Sequence, residues 1–179
     1  MENNVVEQQA GPLVSGVFTP ESLLSHWQGH RGLTRRVIEA FPENKLFDYS
    51  IGGMRPFAEM AKEMMGMGDA GVRGIVTGDW SFSPELDYKT GKSAITTKEE
   101  LLRLWDKVSK EINTWWPLIP APRFHETIKA FGQWEGEAIG IILYWIDNEI
   151  HHRGQGYVYL RSLGIEPPAF WNRGEFEEK

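Results

Sequence analysis

Apolar and polar positions alternate along this chain with a helical period nearly throughout. The longest apolar run, Trp134 to Leu163, predicts one helix, because Ile139, Ile142, Leu143, Ile146, Ile150, Tyr157 and Leu160 recur at helical spacing. A second face carries Ile141, Trp145, Asn148, His152, Gln155 and Tyr159, so polar groups interrupt an otherwise apolar surface. A helix apolar on two faces is expected to be surrounded by other helices, with Asn148 and His152 pointing inward. An earlier helix opens with Thr19 as N-cap, Pro20 at the first helical position and Glu21 in the first turn. Leu23, Leu24, Trp27, Leu33, Val37 and Ile38 form its stripe, and Pro42 stops it. A second helix is expected from about Met54 to Met67 on Phe57, Met60, Ala61 and Met64, its methionines serving as adaptable core filler. A third begins at Thr96 or Thr97, with Glu99 and Glu100 supplying the capping-box acid, and ends near Trp115-Trp116-Pro117.

The connections are equally readable. Pro42 to Gly53 is rich in Asn, Asp, Ser and Gly. Gly66 to Lys92 holds many glycines and reads mostly as loop, with a helical turn or two at Val72 to Val76; a connection this long is a lid or a crossover. Pro117, Pro120 and Pro122 give a rigid linker into Phe124 to Phe131, and no strand-period segment of useful length is visible. Gly164 closes the last helix with Pro167 and Pro168 beyond it, and Phe170-Trp171 is expected to fold back onto the helices. The expected organisation is an N-terminal arm at 1–16, one helical domain at 17–172 and a charged tail at 173–179. The expected fold is all-α: a four-helix bundle with one long crossover loop.

Composition narrows the function classes. The 179 residues suffice for one domain with a real core. A net charge of -6 without a Lys/Arg cluster argues against a nucleic-acid surface. Zero cysteines exclude disulfides, thiolate metal sites and cysteine nucleophiles. Residues 1–14 lack the pattern of a signal peptide, and no apolar run reaches membrane-spanning length, so a soluble, cytoplasmic protein is expected. Eight Trp and nine Phe point to thick helix or subunit contacts.

Chemistry concentrates between Asp147 and Gly156. Asn148-Glu149-Ile150-His151-His152 nearly spells the helical His-Glu-x-x-His zinc motif, but its first imidazole is missing, which argues against a metalloprotease. His26 and His30 are also four apart, and the plainer reading is an exposed pair, although His30 alone can face a cavity. Glu59 and Glu63 read as a solvated flank, and His125 as a surface loop residue. Trp27, Trp145 and Tyr159 are candidates to line a small-molecule pocket.

The run His151-His152-Arg153-Gly154-Gln155, with Tyr159-Leu160-Arg161, Gly164 and Pro167-Pro168, resembles the C-terminal signature of the DinB/YfiT-like metalloenzymes. Met54-Arg55-Pro56-Phe57-Ala58-Glu59 resembles the start of that family's second helix, and Phe41-Pro42-Glu43 the end of its first. The resemblance implies a four-helix bundle, often a homodimer, with a divalent metal held by three histidines. The ligand positions fall on Glu63, Asn148 and His152, so two of three depart from histidine. Zn, Ni, Mn or Fe held by carboxylate, amide and imidazole is one reading; a metal-free, hydrogen-bonded Glu63–His152 pair is the other. His30, Trp145, His151, Gln155 and Tyr159 are the expected pocket or supporting residues, and Arg153 is expected to pair with an acidic residue. Glu149, about 100° around the helix from Asn148, is not expected to reach the metal. The implied activity is that of a hydrolase or a low-molecular-weight-thiol S-transferase acting on a small-molecule substrate or thiol. The competing expectation is a non-catalytic stress-response or small-ligand-binding bundle with a degenerate metal site.

Overall fold

Local capping decides where the chain first becomes helical. In the computed structural model, which describes residues 18–86 and 95–174, helix α1 spans Pro20–Ala40. Thr19 and Ser22 cap it reciprocally: the Ser22 N–H donates to Thr19 Oγ1 at 3.2 Å, and the Thr19 N–H donates to Ser22 Oγ at 2.9 Å. After Pro42 comes a single turn, α2 (Glu43–Leu46), then α3 (Phe57–Thr77), which ends on Gly78 at φ 80. Helix α4 (Lys98–Trp115) starts from a second reciprocal box between Thr97 and Glu100. Strands β1 (Thr127–Ala130) and β2 (Trp134–Glu137) pair antiparallel, and α5 (Ala138–Ser162) follows directly. Its first N–H, that of Ala138, donates to Glu126 O at 3.0 Å, tying the helix start to the chain entering the hairpin.

The structure is mostly helical, with α1 and α3 each packing against both α4 and α5 around one core. Three sequence expectations change. First, α3 does not stop at Met67 but runs ten residues further, through the stretch read as loop, and Gly66, Gly68, Gly71 and Gly74 lie buried within it. These glycines admit large neighbours: a Cβ on Gly68 would lie 3.1 Å from Ile112 Cδ1, one on Gly71 2.6 Å from the Trp145 ring, and one on Gly74 would strike Trp80. The residues look like chain breakers because their reason for being small lies on other elements. Second, α5 starts at Ala138 rather than Trp134, since the preceding residues form a hairpin. Third, Leu143 and Ile150, read as core, are 44% and 39% exposed.

The hairpin is held by rings more than by strand propensity. Phe131 sits at its tip with φ 52, a left-handed conformation uncommon outside glycine. Its ring stacks on Phe82 with centroids 5.1 Å apart and lies within 6.3 Å of Trp80, Trp134 and Trp145. Beyond α5 the backbone returns to α1, where the Arg36 guanidinium donates to Asn172 O. The expected fold-back of Phe170 and Trp171 occurs in the backbone alone, because both side chains stay exposed. The N-terminal arm, most of the charged tail and residues 87–94 of the long connection lie outside the described residues.

Candidate functional site

Two glycine–aromatic contacts set how closely α3 and α5 approach. Phe57 lies over Gly156, where a Cβ would fall 2.5 Å from the ring, and Trp145 lies over Gly71. Between these points the helices bring Glu63 together with Asn148 and His152. His152 Nε2 is 3.2 Å from Glu63 Oε1, and Asn148 Nδ2 donates to the same oxygen at 3.3 Å. The other carboxylate oxygen accepts from Arg55, which sits just before α3. Burial alone raises the Glu63 pKa, but hydrogen bonds and charge from His152 and Arg55 more than offset that and hold it at about 2. His152 is oriented from behind: its Nδ1–H donates to Gln155 Oε1 at 2.7 Å, while Gln155 Nε2 donates to Met54 Sδ. Tyr159, buried, donates its hydroxyl to Arg55 O at 2.9 Å and so fixes the residue that clamps Glu63.

That tautomer leaves the His152 Nε2 lone pair facing a carboxylate, an arrangement that calls for a positive charge between them or a second proton on the ring. Asn148 Oδ1 is buried beside them with no hydrogen-bond partner. An aromatic-walled cleft of about 370 Å³ lies along the same helix seam, lined by Met67, Ile141, Tyr144 and Trp145 and closed by Phe131 and Trp134 of the hairpin. Met67 is one turn beyond Glu63, and Tyr144 and Trp145 are one turn before Asn148. With α3 and α5 antiparallel, the polar cluster and the cleft are therefore about 5–6 Å apart along the helices.

A family model described as the DinB family matches residues 9–177. The chain belongs to the DinB family. A DinB-like protein from Bacillus cereus ATCC 10987 superposes with a TM-score of 0.65 at 15% identity, covering 83% of this chain and 95% of that one. A DinB-like protein from Bacillus subtilis superposes with a TM-score of 0.64 at 17% identity, covering 84% and 96%. At such identity these likenesses speak to the fold alone. Sequence comparison with curated proteins finds no match.

In this DinB chain one imidazole nitrogen and one carboxylate face each other, and turning over the Asn148 amide, whose Nδ2 donates to that carboxylate, would add its unpartnered oxygen; this oxygen-rich set would suit a harder divalent cation than three imidazoles would hold. Among the described residues no three His, Cys, Asp or Glu side chains meet, so a cation held here would need Asn148 as its third ligand. Of the other residues picked from sequence, Gln155 and Tyr159 support the cluster and Trp145 lines the cleft. His151 is exposed, with its ring centroid 5.1 Å from that of His152. Trp27 and Tyr159 are core rather than pocket lining. His30 is buried but belongs to another cluster, and the exposed histidine pair expected from sequence is thus exposed only at His26.

Sequence reasoning missed Arg55, because it precedes its helix and shares no helical spacing with Glu63. It also missed the network around Glu149, 1% exposed, which accepts from Thr34 Oγ1 at 2.7 Å and Trp27 Nε1 at 3.3 Å. Arg31 lies 3.5 Å and Arg153 3.9 Å from this carboxylate, which supplies the acidic partner expected for Arg153. Burial lowers the Arg31 pKa to about 10 against the pull of Glu149 and Asp106, and its guanidinium stacks 3.8 Å from the Trp105 ring. The signal for this network was the pairing of a charged residue in α1 with the charged turn of α5, and spacing within one helix carries no such information.

Proposed function

We propose that this DinB-family chain is a divalent-metal-dependent enzyme with a four-helix-bundle scaffold, a hydrolase or low-molecular-weight-thiol S-transferase acting on a small molecule with an apolar body. The observation that carries this reading is the unpartnered Asn148 Oδ1 beside the His152 Nε2 lone pair and the Glu63 carboxylate. Glu63, Asn148 and His152 would hold the cation. When bound, it supplies a lowered pKa for a water or thiol placed against it. The chain's own residues do the rest. Gln155 fixes the tautomer and orientation of His152. Arg55 and Tyr159 fix Glu63 and keep it ionised. Phe131, Trp134, Tyr144 and Trp145 receive the apolar part of the substrate and exclude water from it.

The second reading, a small-ligand-binding bundle without metal, is favoured by one observation: Arg55 already balances the charge of Glu63. Elemental analysis of untagged protein purified without chelator separates the two, repeated on Glu63→Ala and His152→Ala. The first reading expects near-stoichiometric metal that both variants lose, and a screen of thiol-transfer and hydrolysis substrates follows. Absence of metal after incubation with Zn²⁺, Ni²⁺, Mn²⁺ and Fe²⁺ overturns it.

A further inference from the structure

On a different face of α5 from Asn148, hydrogen-bond donors converge without enough acceptors. His30 is buried, with Arg153 Nη2 at 2.8 Å from its Nδ1 and Arg173 Nη1 at 3.0 Å from its Nε2. His26 Nε2 also lies 3.2 Å from His30 Nε2. A neutral imidazole has one N–H and one acceptor nitrogen, so it accepts from one guanidinium only. Burial first, then Arg153, His26 and Arg173, push the His30 pKa down to about 3, so the ring is neutral at ordinary pH.

The proton assignments propagate from the shorter and more buried contact. With Arg153 donating to Nδ1, the N–H of His30 sits on Nε2 and donates to His26 Nε2. His26 then carries its own proton on Nδ1, the atom 3.5 Å from Arg173 Nη1. Arg173 therefore faces an N–H on both rings. The opposite assignment moves the same conflict to Arg153.

Charge leads to the same place. Among the described residues Glu149 is the one carboxylate within ion-pair distance of Arg31 and Arg153, and Arg173 and Arg36 have none. Tyr157 Oη is buried without a hydrogen-bond partner; burial raises its pKa, and Arg153, Arg36 and Arg161 oppose that rise. Two guanidiniums thus flank a buried imidazole whose mouth is formed by exposed His26 and Arg173, and the Tyr157 hydroxyl lies in the field of one of them, Arg153.

We infer that the His26–His30–Arg153–Arg173 cluster binds a small oxyanion, a phosphate or carboxylate group, whose oxygens accept the N–H donors that the imidazoles cannot. Arg153 also lines a groove of about 610 Å³ with Ile150, Tyr157, Arg161, Phe170 and Trp171, which gives an organic acid room for its apolar body. This inference is independent of the metal reading and involves none of its three ligands.

Calorimetric titration of the full chain tests it, with inorganic phosphate and phenyl phosphate as probes and sodium chloride at matched ionic strength as control. Both probes are expected to bind. Arg173→Ala, an exposed residue whose loss leaves the core intact, is expected to weaken binding about tenfold or more. Arg123→Ala, an arginine paired with Glu126 elsewhere, is expected to leave it unchanged. Tighter phenyl phosphate binding that Phe170→Ala with Trp171→Ala brings back to the inorganic level identifies an organic acid as the ligand, and equal binding of the two probes identifies a free inorganic oxyanion. No binding of either probe, or equal binding by Arg173→Ala, overturns the inference. So does binding that emerges only when Glu175, Glu177 and Glu178 are all changed to Gln, since the chain's own carboxylates would then be the acceptors.

Discussion

One buried and one half-buried side chain make stability depend on acid in separable windows. His30 titrates near 3 in the fold and near 6.5 in the unfolded chain, so the unfolded state takes up a proton first as pH falls. Its contribution is present above pH 6.5 and is lost from there downward. Glu63, held at about 2 against 4.5 when unfolded, contributes fully above 4.5 and loses that contribution between 4.5 and 2. Urea midpoints measured from pH 7.5 to 5 should therefore fall for the native chain and stay nearly level for His26→Gln/His30→Gln; parallel slopes would remove the histidines from the account. At the candidate metal cluster, Asn148→His places a second imidazole four residues before His152. Competition against a chelating dye should show Zn²⁺ bound at least tenfold tighter than by the native chain, and unchanged affinity would mean that the helix face does not present this position to a cation. The spacing of Asn148, His152 and Gln155 was legible because it lies within one helix. Arg55 was not, since its meeting with Glu63 depends on how the chain enters α3.

Caps made the elements readable, and packing made some of them unreadable. Thr19 with Pro20, Thr97 with Glu100, and Gly164 after α5 each act within a turn of chain, so their meaning is local. The glycines of α3 are the opposite case, because nothing within seven residues of Gly71 tells that Trp145 rests on it. The hairpin also escaped, as Trp134-Glu135-Gly136-Glu137 has no alternation of apolar residues, and its pairing is secured by the rings around Phe131. Two substitutions separate these kinds of glycine. Gly71→Ala drives a methyl into Trp145 and should destabilise by about 1–3 kcal/mol, with a change in tryptophan emission. Gly154→Ala, exposed on α5 with nothing within 4 Å of the added Cβ, should stabilise by up to about 1 kcal/mol. Thermal melts of the pair decide it: equal shifts of one sign would mean that intrinsic helix propensity, not close approach, governs both sites.

At the scale of the whole molecule, no described helix is long and apolar enough to cross a membrane, yet α5 leaves Leu143, Ile150 and Val158 exposed along one side. The homodimer implied by the family resemblance has this strip available. Sedimentation equilibrium should give twice the 20.5 kDa chain mass, and Ile150→Glu with Val158→Glu should return a monomer; a monomeric native chain would leave the strip without that role. The glycine run in α3 has a further consequence, for the order in which the protein folds. Each glycine costs a helix about 1 kcal/mol relative to alanine, so four within nine residues keep the second half of α3 from being helical by itself. That half is expected to form as Trp145, Trp80 and Ile112 pack against it, after the capped starts of α1 and α4. Its amide hydrogens should then exchange together with those of the α5 segment around Trp145, and the two should open as one cooperative unit. Because Met67 and Trp145 of the cleft lie on that seam, the cleft is expected to be complete only once this unit has closed.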